Sequence, residues 1–539
     1  MNRNAENHFA LTPQIEKPRS IFDRSNQIKT SFNIGKLIPI ELWTDVMPGD
    51  TVKIDTSTVA RLTSALKTPV MDNAYLDYYY FFVSNRLVWE HWEEFMGEND
   101  DPWAQTIQYQ VPQLRAPAGG WKTGTLADYI GIPTNIDNFS IDAMPLRAYC
   151  KIWNDYFRDQ NSEYALKYSK GDTTEDGVNT GDYTTDCQLG GMPAPVNRFH
   201  DYFSSCLPQP YKTTEPVTLP LGQSAAVIGT GALGITGTNG TLLNERAAII
   251  QGNTTVPRIY QDGSGVAIGI QKDPTKSGLI ADLSTATAAT INQLYQAFAI
   301  NKMYYLDGVG GSRYNELIKT HFGVNSPDAR LQRAEYLGGK RIALNIQQVE
   351  QQSSNTESQF LGSLGAYSQT ADTDESFTYS AQEYGMIFCV ACVRTERSYQ
   401  QGLNRQFSRL NRTDYYFPVL ANIGEQAVLT KEIYLTGNEI VDNSVFGYQE
   451  AWADLRYKPS RVSGQMRSNA TGTLDTWHYA DYYNEQPVLS PEWLYETEVN
   501  MDRTLAVTSE TTNQVLLDIY FDSKWTREMP LYSIPGLPA

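Results

Sequence analysis

The segment Gln514–Asp522, QVLLDIYFD, sets Val515, Leu517, Ile519 and Phe521 against Asp518 and Asp522. A strict period of two is the signature of a strand with one buried and one wetted face. Similar signals recur along the chain. SFNIGKLIPIELW puts Phe32, Ile34, Ile38, Ile40 and Leu42 on one side, with Lys36 the exception, and VMPGDTVKI reads as a turn entering a second strand. AYLDYYYFFVSNRLVWEHW is aromatic and β-branched, then helical from about Arg86. Three helices are expected among these strands. One opens at Pro145, with Leu146, Tyr149, Ile152, Trp153, Tyr156 and Phe157 at helical spacing. A second runs from about Thr290, with Ile291, Leu294, Tyr295 and Phe298 on one face, and a third spans Arg313–His321. Helices this scattered do not make an alternating βαβ sheet. The pattern predicts a mainly β protein, a large sandwich with helix-bearing loops.

Three regions organise the chain. Residues 1–30 are polar, carry Pro13 and Pro18 and lack periodicity, so they read as an extended arm. Residues 31–212 and 286–539 form the discontinuous main domain. Residues 213–285 are rich in Gly, Thr, Ala and Ser and read as an insertion folded on its own, with short strands at runs such as AAVI and RAAII.

The net charge of −18 argues against a uniformly basic nucleic-acid binder. The charge is uneven, however. The arm carries Arg19, Arg24 and Lys29 among its cations. Residues 394–412 hold five arginines, Arg405, Arg409 and Arg412 included, against Glu396 alone, and residues 456–467 hold Arg456, Lys458, Arg461 and Arg467 with no acid. Phe407 and Tyr415 are interleaved with these cations. Arginines and amides contact phosphates, and aromatic rings stack on unpaired bases, so these cations are candidates for nucleic-acid contact. The competing reading is a solvated loop or an edge between protein copies, where arginine is also favoured. The 34 tyrosines and 10 tryptophans suit either a packed β core or protein interfaces.

Motifs of chemistry are thin. Gly229-Thr-Gly231-Ala-Leu-Gly234 matches a dinucleotide fingerprint, but the helix that must open at its third glycine is replaced by ITGTNGT. Cys389-Val-Ala-Cys392 lies in the apolar run Met386–Val393, where residues three apart on a strand point to opposite faces, so a redox or zinc pair is not expected. The five cysteines do not read as a disulfide framework, and a reducing compartment is expected. The five histidines form no metal-ligating pair, and no D-x-D-x-D-G run marks calcium, so no cofactor is expected. His200-Asp201 with Cys206 could belong to a thiol site only if geometry brought them together. No apolar run is long enough to span a bilayer, and the N-terminal segment has no apolar core of a secretory signal.

Several long segments then resemble one family, in order. They are RSIFDRS beginning at Arg19, YYYFFVSNRLVWEHW (78–92), RAYCKIWNDYFRDQN (147–161) and RFHDYFSSCLPQPYK (198–212). GGSRYNELIKTHFGVNSPDARLQRAEYLGG (310–339), SYQQGLNRQFSRLNRTDYYFPVLANIGEQAVL (398–429) and VFGYQEAWADLRYKPSRVSG (445–464) continue the series. Together they resemble the major capsid proteins of gokushoviruses, small single-stranded DNA phages of the Microviridae. The resemblance covers nearly all of the chain outside 213–285.

The resemblance implies an eight-stranded viral jelly roll with long loops, a T=1 icosahedral shell of identical copies, and a circular single-stranded DNA genome on its inner face. It also implies a small basic DNA-packaging protein and a pilot protein as partners, assembly in the host cytoplasm, and an insertion gathered into three-fold protrusions that meet a host receptor. By position, 213–285 is the candidate insertion, since variable loops on rigid scaffolds carry binding function. Shell contacts are expected to use aromatic anchors, with Trp89 and Trp92, and Phe446, Tyr448 and Trp452, as candidates. The alternative is a carbohydrate-binding or hydrolytic β-sandwich, because jelly rolls also host lectins and enzymes.

Overall fold

In the computed structural model, residues 18–98, 109–210, 291–352 and 361–533 are described, with strand backbone at 226–229, 235–236, 269–270 and 279–282. Eight long strands dominate: β1 (Asn26–Phe32), β2 (Ile38–Val46), β3 (Thr51–Leu62), β4 (Ala74–Ser84), β5 (Glu335–Ala343), β6 (Thr370–Ser380), β7 (Gly385–Thr395) and β8 (Val515–Arg527). One antiparallel sheet has the order β1-β8-β3-β6 and the other β2-β7-β4-β5. The chain thus moves between sheets at almost every connection. That is the strand order of a jelly-roll β-sandwich, with its longest excursions between β4 and β5 and between β7 and β8.

Alternation in each strand decides where its residues go. In β8, Val515, Leu517, Ile519, Phe521 and Trp525 enter the core between the sheets, while Leu516, Asp518, Tyr520 and Asp522 lie on the outer face. Trp43 meets Phe521 edge-on at 5.4 Å, and the Tyr80 hydroxyl shares a 2.6 Å hydrogen bond with Thr56. Strands β4 and β7 are buried on both faces. Tyr78, Tyr80, Ile387, Cys389 and Ala391 face the inter-sheet core. Phe81, Val83, Phe388, Val390 and Cys392 face a second core with α1 (Met144–Ile152), Trp89, Trp121 and Trp153. This double burial is why MIFCVACV is continuously apolar, a pattern shared with sheets covered on both sides. Cys389 and Cys392 accordingly lie in different cores, and burial pushes both thiols up, Cys392 to about 12.

Three boundaries differ from the sequence reading. Residues 20–30 are not an unpacked arm: Ser20–Asp23 and β1 both pair with β8. Their side chains are polar because they cover a sheet edge whose outer face meets water. The SFNIGKLIPIELW run is two strands, not one. Gly35 turns it with φ +76°, and a Cβ there would strike the Glu496 carbonyl. The helix at Pro145 opens as expected, but after Ile152 it continues as a π turn over Trp153–Phe157.

The chain divides into two compact units, one of residues 1–212 with 307–539 and one of Thr213–Leu306. In the second, Ala226–Gly229 pairs antiparallel with Leu279–Asp282, and Ile235–Thr236 with Gly269–Ile270. This unit runs past 285 to take in most of α2 (Ile291–Gly310), on which Ile291, Tyr295 and Phe298 are exposed. The helix α3 (Tyr314–Phe322) follows, stopped by Gly323 in the left-handed region. Gly231–Gly234 and the RAAII run lie outside the described residues.

Candidate nucleic-acid interface

The backbone joins the two basic stretches that the sequence separates. Tyr399 N–H donates to the Ser460 carbonyl at 2.9 Å, and Val462 N–H donates back to the Tyr399 carbonyl at 3.2 Å. Arg467 caps the Gln400 carbonyl at 2.7 Å, and Gln400 binds Ser468 in both directions. Segments 398–407 and 456–468 therefore form one surface.

The nine candidate cations separate by partner. Arg24 is bidentate to Asp45 at 2.8 and 3.0 Å and lies over the Trp525 ring. Arg19 donates to the Gly49 carbonyl, and Lys29 is exposed, 3.9 Å from Asp518. Arg405 holds the Ala427 carbonyl at 2.9 Å beside Glu432, Arg409 pairs with Asp454 at 2.9 Å, and Arg456 pairs with Glu450. These three are tied to acids of their own chain. Arg412 is exposed and lies over the Phe417 ring. Lys458 and Arg461 are exposed, and neither has an ion-pair partner among the described residues.

Three basins lie on the larger unit. One of about 840 Å³ is walled by Tyr79, Phe157, Arg158, His200, Tyr336 and Arg394. A second of about 690 Å³ includes His200, Cys206, Arg456, Tyr457 and Lys458. The third, about 400 Å³, includes Asn404, Phe407, Lys458, Arg461 and Arg467. Residues 200, 201 and 206 do meet here, but not as a thiol site. Cys206 is buried, its Sγ donating to the Tyr202 carbonyl, and burial with Glu432 and Asp201 nearby pushes the thiol far above its ordinary range.

Under the basins lies a buried charge network. Arg397 donates to Asp481 and to Glu496, each at 2.6 Å, and Arg198 donates to Asp481 at 3.0 Å while lying over Trp493. Burial alone would raise the Asp481 carboxyl, yet the Arg397 and Arg198 charges, with hydrogen bonds from Tyr483 and Asn500, hold it at about 2. Such a network is costly to break on one side only.

Nearby, Glu163 is the opposite case. One carboxyl oxygen accepts from the Asp159 N–H and from Asn197 at 3.1 Å, while the other is buried without a partner among the described residues. Burial raises this group to about 7 from 4.5. A raised carboxyl contributes stability that is fully present below the unfolded value and lost as pH rises toward the folded one. Stability should therefore fall between about pH 4.5 and 7 by roughly 3 kcal/mol. Glu163→Gln should flatten that slope and raise the melting temperature above pH 7, measured by thermal unfolding across the pH range.

The profile of a family described as Capsid protein (F protein) matches residues 12–537. The chain belongs to that phage capsid protein family. It is 40% identical over 553 residues to capsid protein VP1 of Spiroplasma virus 4, covering 99% of this chain and 98% of the relative. It is 39% identical over 551 residues to capsid protein VP1 of Bdellovibrio phage phiMH2K, and 34% identical over 587 residues to that of Chlamydia phage 1, with the same coverage. The resemblance to microvirus major capsid proteins is borne out by these capsid protein relatives.

In a capsid protein, an anchor between copies must reach the surface. Trp89 is fully buried, its Nε1 donating to Asp172 at 2.6 Å, and Phe446 and Trp452 are buried within the chain as well. Trp89 and Phe446 sit in the subunit's own cores, while Trp452 packs edge-on against Tyr416 and donates to the Leu420 carbonyl, so none of the three is exposed in the single subunit. Trp92 and Tyr448 are half-buried. Exposed apolar side chains concentrate instead at 410–423, where Leu410 and Val419 are 89% and 92% exposed and Tyr415, Tyr416 and Ile423 accompany them. No sequence periodicity marks this loop, because its turns are short 3₁₀ segments rather than a regular element.

Proposed function

We propose that this capsid protein assembles as a T=1 icosahedral shell around a circular single-stranded DNA genome, and that the insertion at 213–285 meets a receptor on the host surface. Assembly takes place in the host cytoplasm, with a small basic DNA-packaging protein and a pilot protein completing the virion. The observation that carries the reading is the jelly-roll strand order in a chain that full-length capsid relatives match from end to end. A rigid sandwich can repeat identically at every position of a closed shell, where heterologous contacts complete a ring at each axis. The exposed loop at 410–423 supports association, since apolar patches of this kind mark protein contacts. Trp92 and Tyr448 stay as edge contacts between copies. Lys29, Arg412, Lys458 and Arg461 are the candidate cations placed to meet phosphates, while Arg19, Arg24, Arg405, Arg409 and Arg456 act first within the subunit. The separate unit at 213–306 supports an attachment role, because a unit with its own contacts can vary without disturbing the sandwich.

Sedimentation and negative-stain microscopy test the shell. A discrete megadalton particle containing single-stranded DNA is expected. A monomer or small oligomer that persists at high concentration would overturn the reading.

A further inference from the structure

The three basins adjoin in series. The first and second share Asp159, Asn161 and His200 in their walls, and the second and third share Lys458, Pro459 and Ser460. Ten arginines and lysines line the basins against seven carboxylates, but three of these cations, Arg397, Arg198 and Arg394, are already paired with Asp481, Glu496 and Asp77 beneath the surface. Several of those carboxylates are already engaged: Glu450 by Arg456, Glu316 by Arg313, Asp328 by Arg333 and Asp201 by the Tyr399 hydroxyl. Among the described residues, Lys458 and Arg461 meet no such acid, and Arg158 donates to the Glu163 carbonyl with no acid of its own.

Each basin also presents one open aromatic ring. Tyr336 is 49% exposed in the first, Tyr457 58% in the second and Phe407 66% in the third. A cationic groove with rings at intervals is the arrangement that holds an unpaired strand without regard to sequence, since every base has a face to stack. A duplex would hide those faces.

We propose that this groove is a track for one unpaired DNA strand, with Tyr336, Tyr457 and Phe407 as stacking platforms and Arg158, Lys458 and Arg461 on its phosphates. The proposal rests on the reading that the shell encloses a single-stranded genome. It goes further in assigning the path and the residues.

The test uses the full-length protein and a fluorescent oligothymidylate, titrated at several salt concentrations. The triple variant Arg158→Gln, Lys458→Gln, Arg461→Gln should bind at least tenfold more weakly, with the salt slope smaller by about 2. The variant Tyr457→Leu with Phe407→Leu should also lose about tenfold or more, with an unchanged slope, because it removes stacking and no charge. All these positions are partly or largely solvent-exposed, and Lys458→Arg should bind as wild type, which separates lost contacts from misfolding. If wild type binds the oligonucleotide and both variants match it, the groove is overturned while the genome reading stands. A groove occupied by a neighbouring copy, and so protected from chemical modification in DNA-free shells, overturns it as well. Shells and subunits that hold no single strand sink both.

Discussion

Replacing Arg397 with methionine is expected to cost the subunit about 3–5 kcal/mol, because it leaves Asp481 and Glu496 charged, buried and without their shared partner. Both carboxylates lie far along the chain from Arg397, which stands two residues past the end of β7. One guanidinium thus fastens the long connection between β7 and β8 to the end of the sandwich. The loss should be read as a fall in melting temperature and in particle yield together. Acid should act on the same network. Asp481 sits at about 2 when folded against an ordinary 3.8, so it contributes stability that is complete above 3.8 and lost as pH falls toward 2. Wild type should weaken across that window, and Asp481→Asn should be less stable at neutral pH but less sensitive to acid. A variant at 397 with unchanged unfolding would show that the network is dispensable.

Trp89→Ala should be as damaging, by about 3–5 kcal/mol, since it empties a fully enclosed ring site and abandons the hydrogen bond to Asp172. Trp92→Ala, three residues on and half-buried, should cost the isolated subunit only about 1–2 kcal/mol. The pair distinguishes core from contact. If Trp89 anchored copies to one another, its removal would spare the subunit's unfolding and impair assembly alone. The structure predicts the reverse for Trp89, and a selective assembly defect for Trp92.

This contrast also shows where sequence reading reached its limit. Period-two alternation located β8 and the entry into β3 because one face of each meets water, so polarity itself records the geometry. The double burial of β7 was legible as an unbroken apolar run. Trp89 and Phe446 were not legible as core, because a buried ring and an interface ring are the same residue type in the same strand-rich surroundings. The basic stretches were visible, but their acids were not assignable: Arg409 meets Asp454 and Arg405 meets Glu432 only after the chain folds back. The groove was hidden for a similar reason. Arg158, His200, Tyr336 and Tyr457 come from four separated segments, none with a motif of its own, and only the folded connections bring them to two adjoining basins.

The place of β8 has a consequence for how such a particle is made. It lies between β1 and β3, pairing with both along most of its length. Residues 26–62 leave the ribosome first, yet the strand that must fill the gap between them begins at 515. Until then the sheet has two unpaired inner edges, and the sandwich on which every other loop is mounted is not closed. An incomplete copy therefore lacks the rigid frame that repeated, identical contacts require. A chain that stops early is thus expected to lose the whole sandwich, not merely its last strand.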